Sequence, residues 1–308
     1  MRLGFCLPQN GSLAGPKALI AVARKAEAIG FESLWVSERL LWPLDPRTPY
    51  PATRDGRLPE QAKIQLDPLE TLSFVAAHTR RARLGTSVIN LPFHNPLVLA
   101  RRFATLDVLS DGRVCVGLGN GWSADEFEAA GVPERGRGER TDEALAILKA
   151  VWTTDPVEFQ GKHFRFAKSF VQPKPVQKPR PPIYFAAFTP AALRRVALAA
   201  DGWNPAGIPV AVMDSMFRSL REMAEQAGRD PQAIELVVRA NLWMRDRPLP
   251  AERFVFTGDA DQIAADIAAT RAIGTHELFF EAGGLPGASS VEGLIAAMEQ
   301  LWELAHRE

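Results

Sequence analysis

Two cysteines are all that 308 residues hold, Cys6 and Cys115. Both sit in apolar, strand-like stretches. That excludes a disulfide framework and leaves buried thiols as the expected role. Excess charge is missing too, since 36 basic side chains cancel 36 acidic ones. No long-range field favours nucleic acid or anionic lipid. No run of ~18 apolar residues exists to span a membrane. The N-terminus, MRLGFCLPQNG, has too short an apolar run for a signal peptide. A cytoplasmic protein with no nucleic-acid or membrane partner is expected. Catalytic signatures are scarce as well. Of the five histidines, His78, His94, His163, His276 and His306, no two are spaced as a metal-binding pair, so no metal is expected. A G-x-S-x-G elbow, a P-loop and a cysteine nucleophile motif are all missing. Such absences point to chemistry done by a bound cofactor.

What is there is a repeat of strand then helix. Leu3, Phe5 and Leu7 alternate as a first strand. Leu19, Val22, Ala23 and Ala26 then share a helix face that stops at Gly30. SLWVS (Ser33–Ser37) reads as a second strand. From Glu38 to Leu66 there is no period, and five prolines preclude regular structure. A loop so long is usually functional, often a lid. Asp67-Pro68-Leu69-Glu70 signals a helix start with a capping box. Arg83–Asn90 is a third strand, Arg113–Leu118 a fourth and Ile183–Ala187 a fifth, with a second insertion, 154–182, before the fifth. Gly202–Asn204, Glu235–Trp243 and Glu277–Glu281 complete about eight units, each with its helix. Repeated βα units require a parallel sheet. The count and length predict one domain over 1–308, a (β/α)₈ TIM barrel with insertions after strand 2 and before strand 5. A doubly wound open sheet is the alternative. It calls for a glycine fingerprint after the first strand, where the chain reads LPQNGSLAG.

Four places could carry chemistry. In RLGTSVINLPFHNP (Arg83–Pro96), Ser87, Asn90 and His94 put polar groups at the end of an apolar strand, where parallel α/β sheets bind ligands. Asn95 and Pro96 then suit a helix start. Gly117-Leu118-Gly119-Asn120-Gly121-Trp122 lets backbone approach a ligand closely, and its aromatic can pack on a planar ring. Core packing is the more frequent explanation of such an aromatic. Ala186-Ala187-Phe188-Thr189-Pro190 leaves room at a strand end and opens a helix N-terminus, which is an anion site or an ordinary cap. Glu38-Arg39 places a carboxylate and a guanidinium at the mouth, for proton handling and anion binding or as a surface ion pair.

With these stretches in view, the chain resembles the bacterial luciferase-like flavin and deazaflavin oxidoreductases, and within them the F420-dependent branch. The carriers are WVSERLLWP (Trp35–Pro43), LGTSVINLPFHNP (Leu84–Pro96), SDGRVCVGLGNGWSADEFEAAG (Ser110–Gly131) and ERTDEALAILKAVW (Glu139–Trp152). The resemblance implies a barrel with a cofactor ring at its C-terminal mouth and a non-proline cis bond at Ser87-Val88. It implies that Ser87, Val88 and Asn90 back and edge the ring, with Gly119, Asn120, Gly121 and Trp122 on the opposite wall. Ala186, Ala187, Phe188 and Thr189 would hold the phosphate end. It further implies a homodimer. The expected cofactor is F420, with FMN and a partner reductase as the alternative. On an F420-dependent reading, Arg39 is expected to orient an anionic or carbonyl group, Glu38 to hold the cofactor or Arg39, His94 to donate a proton and Trp42 to wall the substrate pocket. Alanine at Arg39 is expected to reduce turnover far more than folding. The sugar-phosphate dehydrogenases of the group carry an Asp-His pair and a Glu where this chain has Glu38-Arg39 and Trp122. Oxidation of a sugar phosphate is therefore not expected, and reduction of an activated C=C or C=N bond is.

Overall fold

A computed structural model describes residues 1–51, 53 and 55–307. Eight parallel strands form its centre: Arg2–Cys6, Ser33–Val36, Arg83–Thr86, Val114–Gly119, Ile183–Phe185, Gly202–Trp203, Glu235–Asn241 and Glu277–Glu281. Each pairs with its neighbours in chain order. The first also pairs with the last, Arg2 beside Glu277 and Phe5 beside Phe280. The third pairs with the fourth, Leu84 beside Val114, which closes the sheet. The open doubly wound sheet is thereby excluded. Strands covered on both faces should read as apolar runs, and VCVGLG is buried throughout.

Helices follow each strand: Pro16–Ile29, Pro68–Ala76, Pro96–Leu109, Arg137–Thr153, Pro190–Ala199, Val210–Gln226, Ala260–Ala272 and Val291–Ala305. Their starts follow local chemistry. Asn95 accepts from the N–H groups of Leu97 (3.0 Å) and Val98 (3.2 Å), and Pro96 takes the first turn. Asp67 caps Leu69, but Glu70 does not close a box; its carboxylate reaches Arg102 instead. The capping box lies at Asp259 and Gln262. Several short helical pieces were not legible from periodicity, and two of them lie by the mouth. One is a 3₁₀ turn at Glu60–Lys63, inside the loop expected to be irregular, and the other is the helix Ala124–Ala129. The second insertion carries the expected hairpin, Val157–Gln160 against Arg165–Ser169. Among the described residues no helix is long and apolar enough to cross a membrane.

The N-terminal end of the barrel is tied by charge. Arg2, Ser33, Arg83, Glu235 and Glu277 each begin a strand. Glu277 is fully buried. It accepts from Ser33 Oγ (2.5 Å), Trp35 Nε1 (3.0 Å), Arg2 Nε (3.1 Å) and Arg83 Nη1 (3.0 Å). Arg83 also donates to Tyr184, whose hydroxyl donates to Glu235. Burial works against ionisation of Glu235, yet Tyr184 and Arg2 hold its pKa below the usual carboxylate value. Above this layer the Trp35 ring stacks on Phe279, centroids 4.3 Å apart. Gly85 makes room for that indole, since a Cβ there would stand 2.3 Å from Trp35. This end of a barrel serves stability. Removing one partner of a buried charge cluster costs about 3–5 kcal/mol. Glu277→Ala should therefore lower the melting temperature by on the order of 10 °C. An unchanged melting curve would contradict that role.

Candidate functional site

The third strand breaks as it reaches the C-terminal mouth. Arg83–Thr86 pairs with Ser33–Val36, Val36 beside Thr86. The chain then passes through a cis bond at Ser87-Val88, as the resemblance implied, and resumes at Ile89–Asn90. There it pairs with the fourth strand, Asn90 beside Gly119. The step is held from three sides. Ser87 Oγ donates to Asn204 Oδ1 (2.8 Å), Ser87 N donates to Val36 O (2.7 Å), and Arg239 Nη1 donates to Ser87 O (2.7 Å). Glu38 N donates to Val88 O (3.3 Å).

The step borders a cavity of about 260 Å³. Its lining comes from just beyond the strand ends: Glu38 and Arg39 after the second strand, Ser87, Val88 and Asn90 after the third, Trp122 after the fourth. Arg239, Asn241 and Glu281 close the far side. Tyr50, Pro59, Gln61 and Gln65 of the long insertion cover it. Gln9 anchors that insertion, donating to Ser37 O (2.8 Å) and Leu66 O (2.9 Å). Farther along, Arg47 bonds Asp125 and the Ala124 carbonyl, so the short helix Ala124–Ala129 holds the insertion over the mouth.

The charged residues pair differently from expectation. Glu38 does not hold Arg39. Its Oε1 lies 2.6 Å from His94 Nε2, and its Oε2 accepts from Asn90 N (2.7 Å). His94 stands behind Glu38 and does not line the cavity. Arg39 Nη1 donates to Glu126 Oε2 (3.0 Å), and the other oxygen of Glu126 accepts from Leu40 N (2.8 Å). Glu126 is fully buried. Burial pushes its pKa above the usual carboxylate value, against the pull of Arg39. The Arg39 guanidinium lies 5.0 Å from the centroid of Trp122 and 6.0 Å from that of Tyr50.

Other expected positions fall elsewhere. Trp42 is not in the cavity wall. Its indole donates to Pro59 O (3.3 Å) under the Lys63 ammonium, so it packs the insertion onto itself. The three glycines serve the protein's own packing and backbone: a Cβ would strike Thr86 O at Gly117 and Val88 Cγ2 at Gly119, and would crowd Phe127 and Phe93 at Gly121, whose φ is +70°. Asn120 Oδ1 accepts from Thr141 Oγ1 (2.8 Å). Gly119, Asn120, Gly121, Ala186, Ala187, Phe188 and Thr189 lie outside the cavity lining. Thr189 does cap its helix, accepting from Ala192 N (3.3 Å). Sequence reasoning missed Tyr50, Glu126, Asn204, Arg239 and Glu281. Arg239 had left a signal, because a charge inside VVRAN is out of place in a covered strand.

These features define a (β/α)₈-barrel protein with a cavity at its C-terminal mouth. A model of the luciferase-like monooxygenases matches residues 1–268, and the chain belongs to that family. An uncharacterised Mycobacterium tuberculosis protein is 37% identical over 224 residues, 71% of this chain and 78% of its own. A Kineococcus radiotolerans protein named F420-dependent glucose-6-phosphate dehydrogenase is 32% identical over 258 residues, 82% of this chain and 70% of its own. The crystal structure of a monooxygenase from Streptomyces bottropensis shares the fold, with a TM-score of 0.79, 23% identity and 98% of each chain covered.

The Arg39–Glu126 pair corrects the expectation for Arg39. Removing the guanidinium strands a buried carboxylate. Arg39→Ala should thus lose about 3 kcal/mol of stability at neutral pH, besides turnover. Arg39→Met with Glu126→Gln should recover stability but not turnover. Equal melting temperatures for wild type and Arg39→Ala would refute the pairing.

Proposed function

We propose that the protein is an F420-dependent oxidoreductase that exchanges a hydride with a small organic substrate, reducing an activated C=C or C=N bond. One observation carries the reading: in a chain of this family, the Ser87–Val88 step and the Trp122 indole border the same mouth cavity. The lining suits a deazaflavin. Val88 and Trp122 offer apolar surface for ring faces, and Asn90, Ser87 and Glu38 offer polar groups for ring edges. The volume lies below the ~300–1,000 Å³ of whole-ligand pockets, which fits a ring system better than a complete cofactor with its chain. The phosphate end falls to Ala186–Thr189. The first turn of Pro190–Ala199 leaves N–H groups without partners inside the helix, and Thr189 takes only that of Ala192. The name of the Kineococcus relative adds support for F420.

Reduced F420, when bound, supplies a hydride. The chain's own part is to position the acceptor and to move a proton. Glu38 lines the cavity, and the partly exposed His94 lies behind it, so the two connect cavity to solvent. Arg39 retains N–H donors beyond the one given to Glu126 and can polarise a carbonyl oxygen. The same reading takes the protein as a homodimer supplied with reduced cofactor by a separate enzyme. The family's description as luciferase-like monooxygenases favours one alternative, a monooxygenase, for which FMN would be the cofactor.

Titration of the apoprotein with F420 and with FMN, followed by tryptophan quenching, separates the readings. F420 should bind tightly and FMN weakly, and Trp122 at the cavity should report either by quenching. Tight FMN binding with oxygen-dependent turnover would establish the monooxygenase instead. Quenching by neither would refute the site.

A further inference from the structure

Charge at the mouth is matched pair by pair. Two guanidiniums line the cavity, Arg39 and Arg239, together with two carboxylates, Glu38 and Glu281. Arg239 has all three nitrogens engaged: Nε with Asn241 Oδ1 (2.9 Å), Nη1 with Ser87 O (2.7 Å) and Nη2 with Glu281 Oε2 (3.2 Å). Arg39 is neutralised by Glu126 from behind the wall. Among the described residues lining the cavity, each positive charge therefore has a carboxylate partner. Glu38 faces the same space, bonded to His94 and Asn90. The other polar side chains among the described lining residues are neutral, Asn10, Gln61 and Gln65 among them.

We infer that this cavity takes an uncharged carbonyl compound and rejects carboxylates and phosphate esters. An entering anion would meet Glu38 and Glu281 with no uncompensated cation among the described lining residues to receive it, and burial of an unpaired charge is strongly disfavoured. A neutral carbonyl oxygen meets no such barrier. Pairing with Glu126 cancels the charge of Arg39 but uses one of its five N–H donors, and the rest remain for a carbonyl oxygen. The Tyr50 ring beside that guanidinium adds apolar surface for a flat neutral molecule, leaving Trp122 and Val88 to the cofactor ring. The inference names the substrate class for the hydride-transfer reading and rests on that reading for the reaction, but the charge preference is a property of the cavity itself. It also separates this chain from the activity in the Kineococcus relative's name, whose substrate is a sugar phosphate.

A matched pair of probes tests it: cyclohex-2-en-1-one and 3-oxocyclohex-1-ene-1-carboxylate. Both are titrated calorimetrically into wild-type protein with and without F420, and into Glu126→Gln. Wild type should bind the neutral enone at least ten-fold more tightly than the carboxylate in both states. Glu126→Gln leaves Arg39 without its carboxylate, so the ratio should narrow ten-fold or more. Equal or tighter binding of the carboxylate by wild type would overturn the inference, as would no binding of the enone or an unchanged ratio in a folded variant. The wild-type comparison stands even if the variant does not fold. Failure of F420 to bind would sink the cofactor reading alone, because the charge preference is still read on the apoprotein.

Discussion

Everything at the mouth depends on how one backbone step is held. The third strand leaves its neighbour at Thr86 and rejoins the sheet beside the fourth at Ile89. Between them, the Ser87 carbonyl has no strand partner. Arg239 supplies a donor from the seventh strand, and Asn204 receives the Ser87 hydroxyl from just past the sixth. Burial opposes the charge on Arg239, but Cys6 and Glu281 nearby keep its pKa above the ordinary arginine value. Asn241 and Glu281 then fix the guanidinium plane. A polar carbonyl turned into a barrel interior would otherwise be a buried acceptor without a donor, which proteins avoid. The cavity wall at Ser87 and Val88 is thus built by residues far apart in the chain.

The covering loop obeys the same logic. Polar anchors hold the described residues of the 38–66 segment in place. Gln9 ties the loop's two ends, Trp42 folds it onto Pro59, and Arg47 docks it on Asp125. Glu126 is the deepest anchor. It accepts from the Leu40 backbone and from Arg39, so one buried carboxylate both fastens the loop and sets the charge of the cavity behind it. Structure and specificity are coupled at that residue. A protein that neutralises its own cavity arginine can no longer use it to capture anions, though it can still use it to donate hydrogen bonds.

The barrel was legible in the sequence because it is a local pattern repeated. Alternating or continuous apolar strands, Gly30 as a helix stop, and the Asn95-Pro96 start are decided within a few residues of each position. The insertion boundaries followed from prolines and lost periodicity. Pairing at the site was not legible. Glu38 and Arg39 are adjacent and opposite in charge, which invites a bond between them, yet their partners lie 56 and 87 residues away. Glu126 sits in Ser123-Ala124-Asp125-Glu126, a run that reads as solvated surface. Its six-residue helix is too short to show a period. The glycines at 117, 119 and 121 were read as room for a ligand, whereas Thr86, Val88, Phe93 and Phe127 occupy that room. Close packing of protein on protein and of protein on ligand leaves the same mark in a sequence.

The most direct test of the account is a crystal structure of the protein with F420 bound. The account places the deazaflavin ring in the mouth cavity, against Val88 and Trp122, with the phosphate at the start of the helix Pro190–Ala199. A ring seated elsewhere, for instance in the separate cavity beside Arg253 and Phe254, would contradict it.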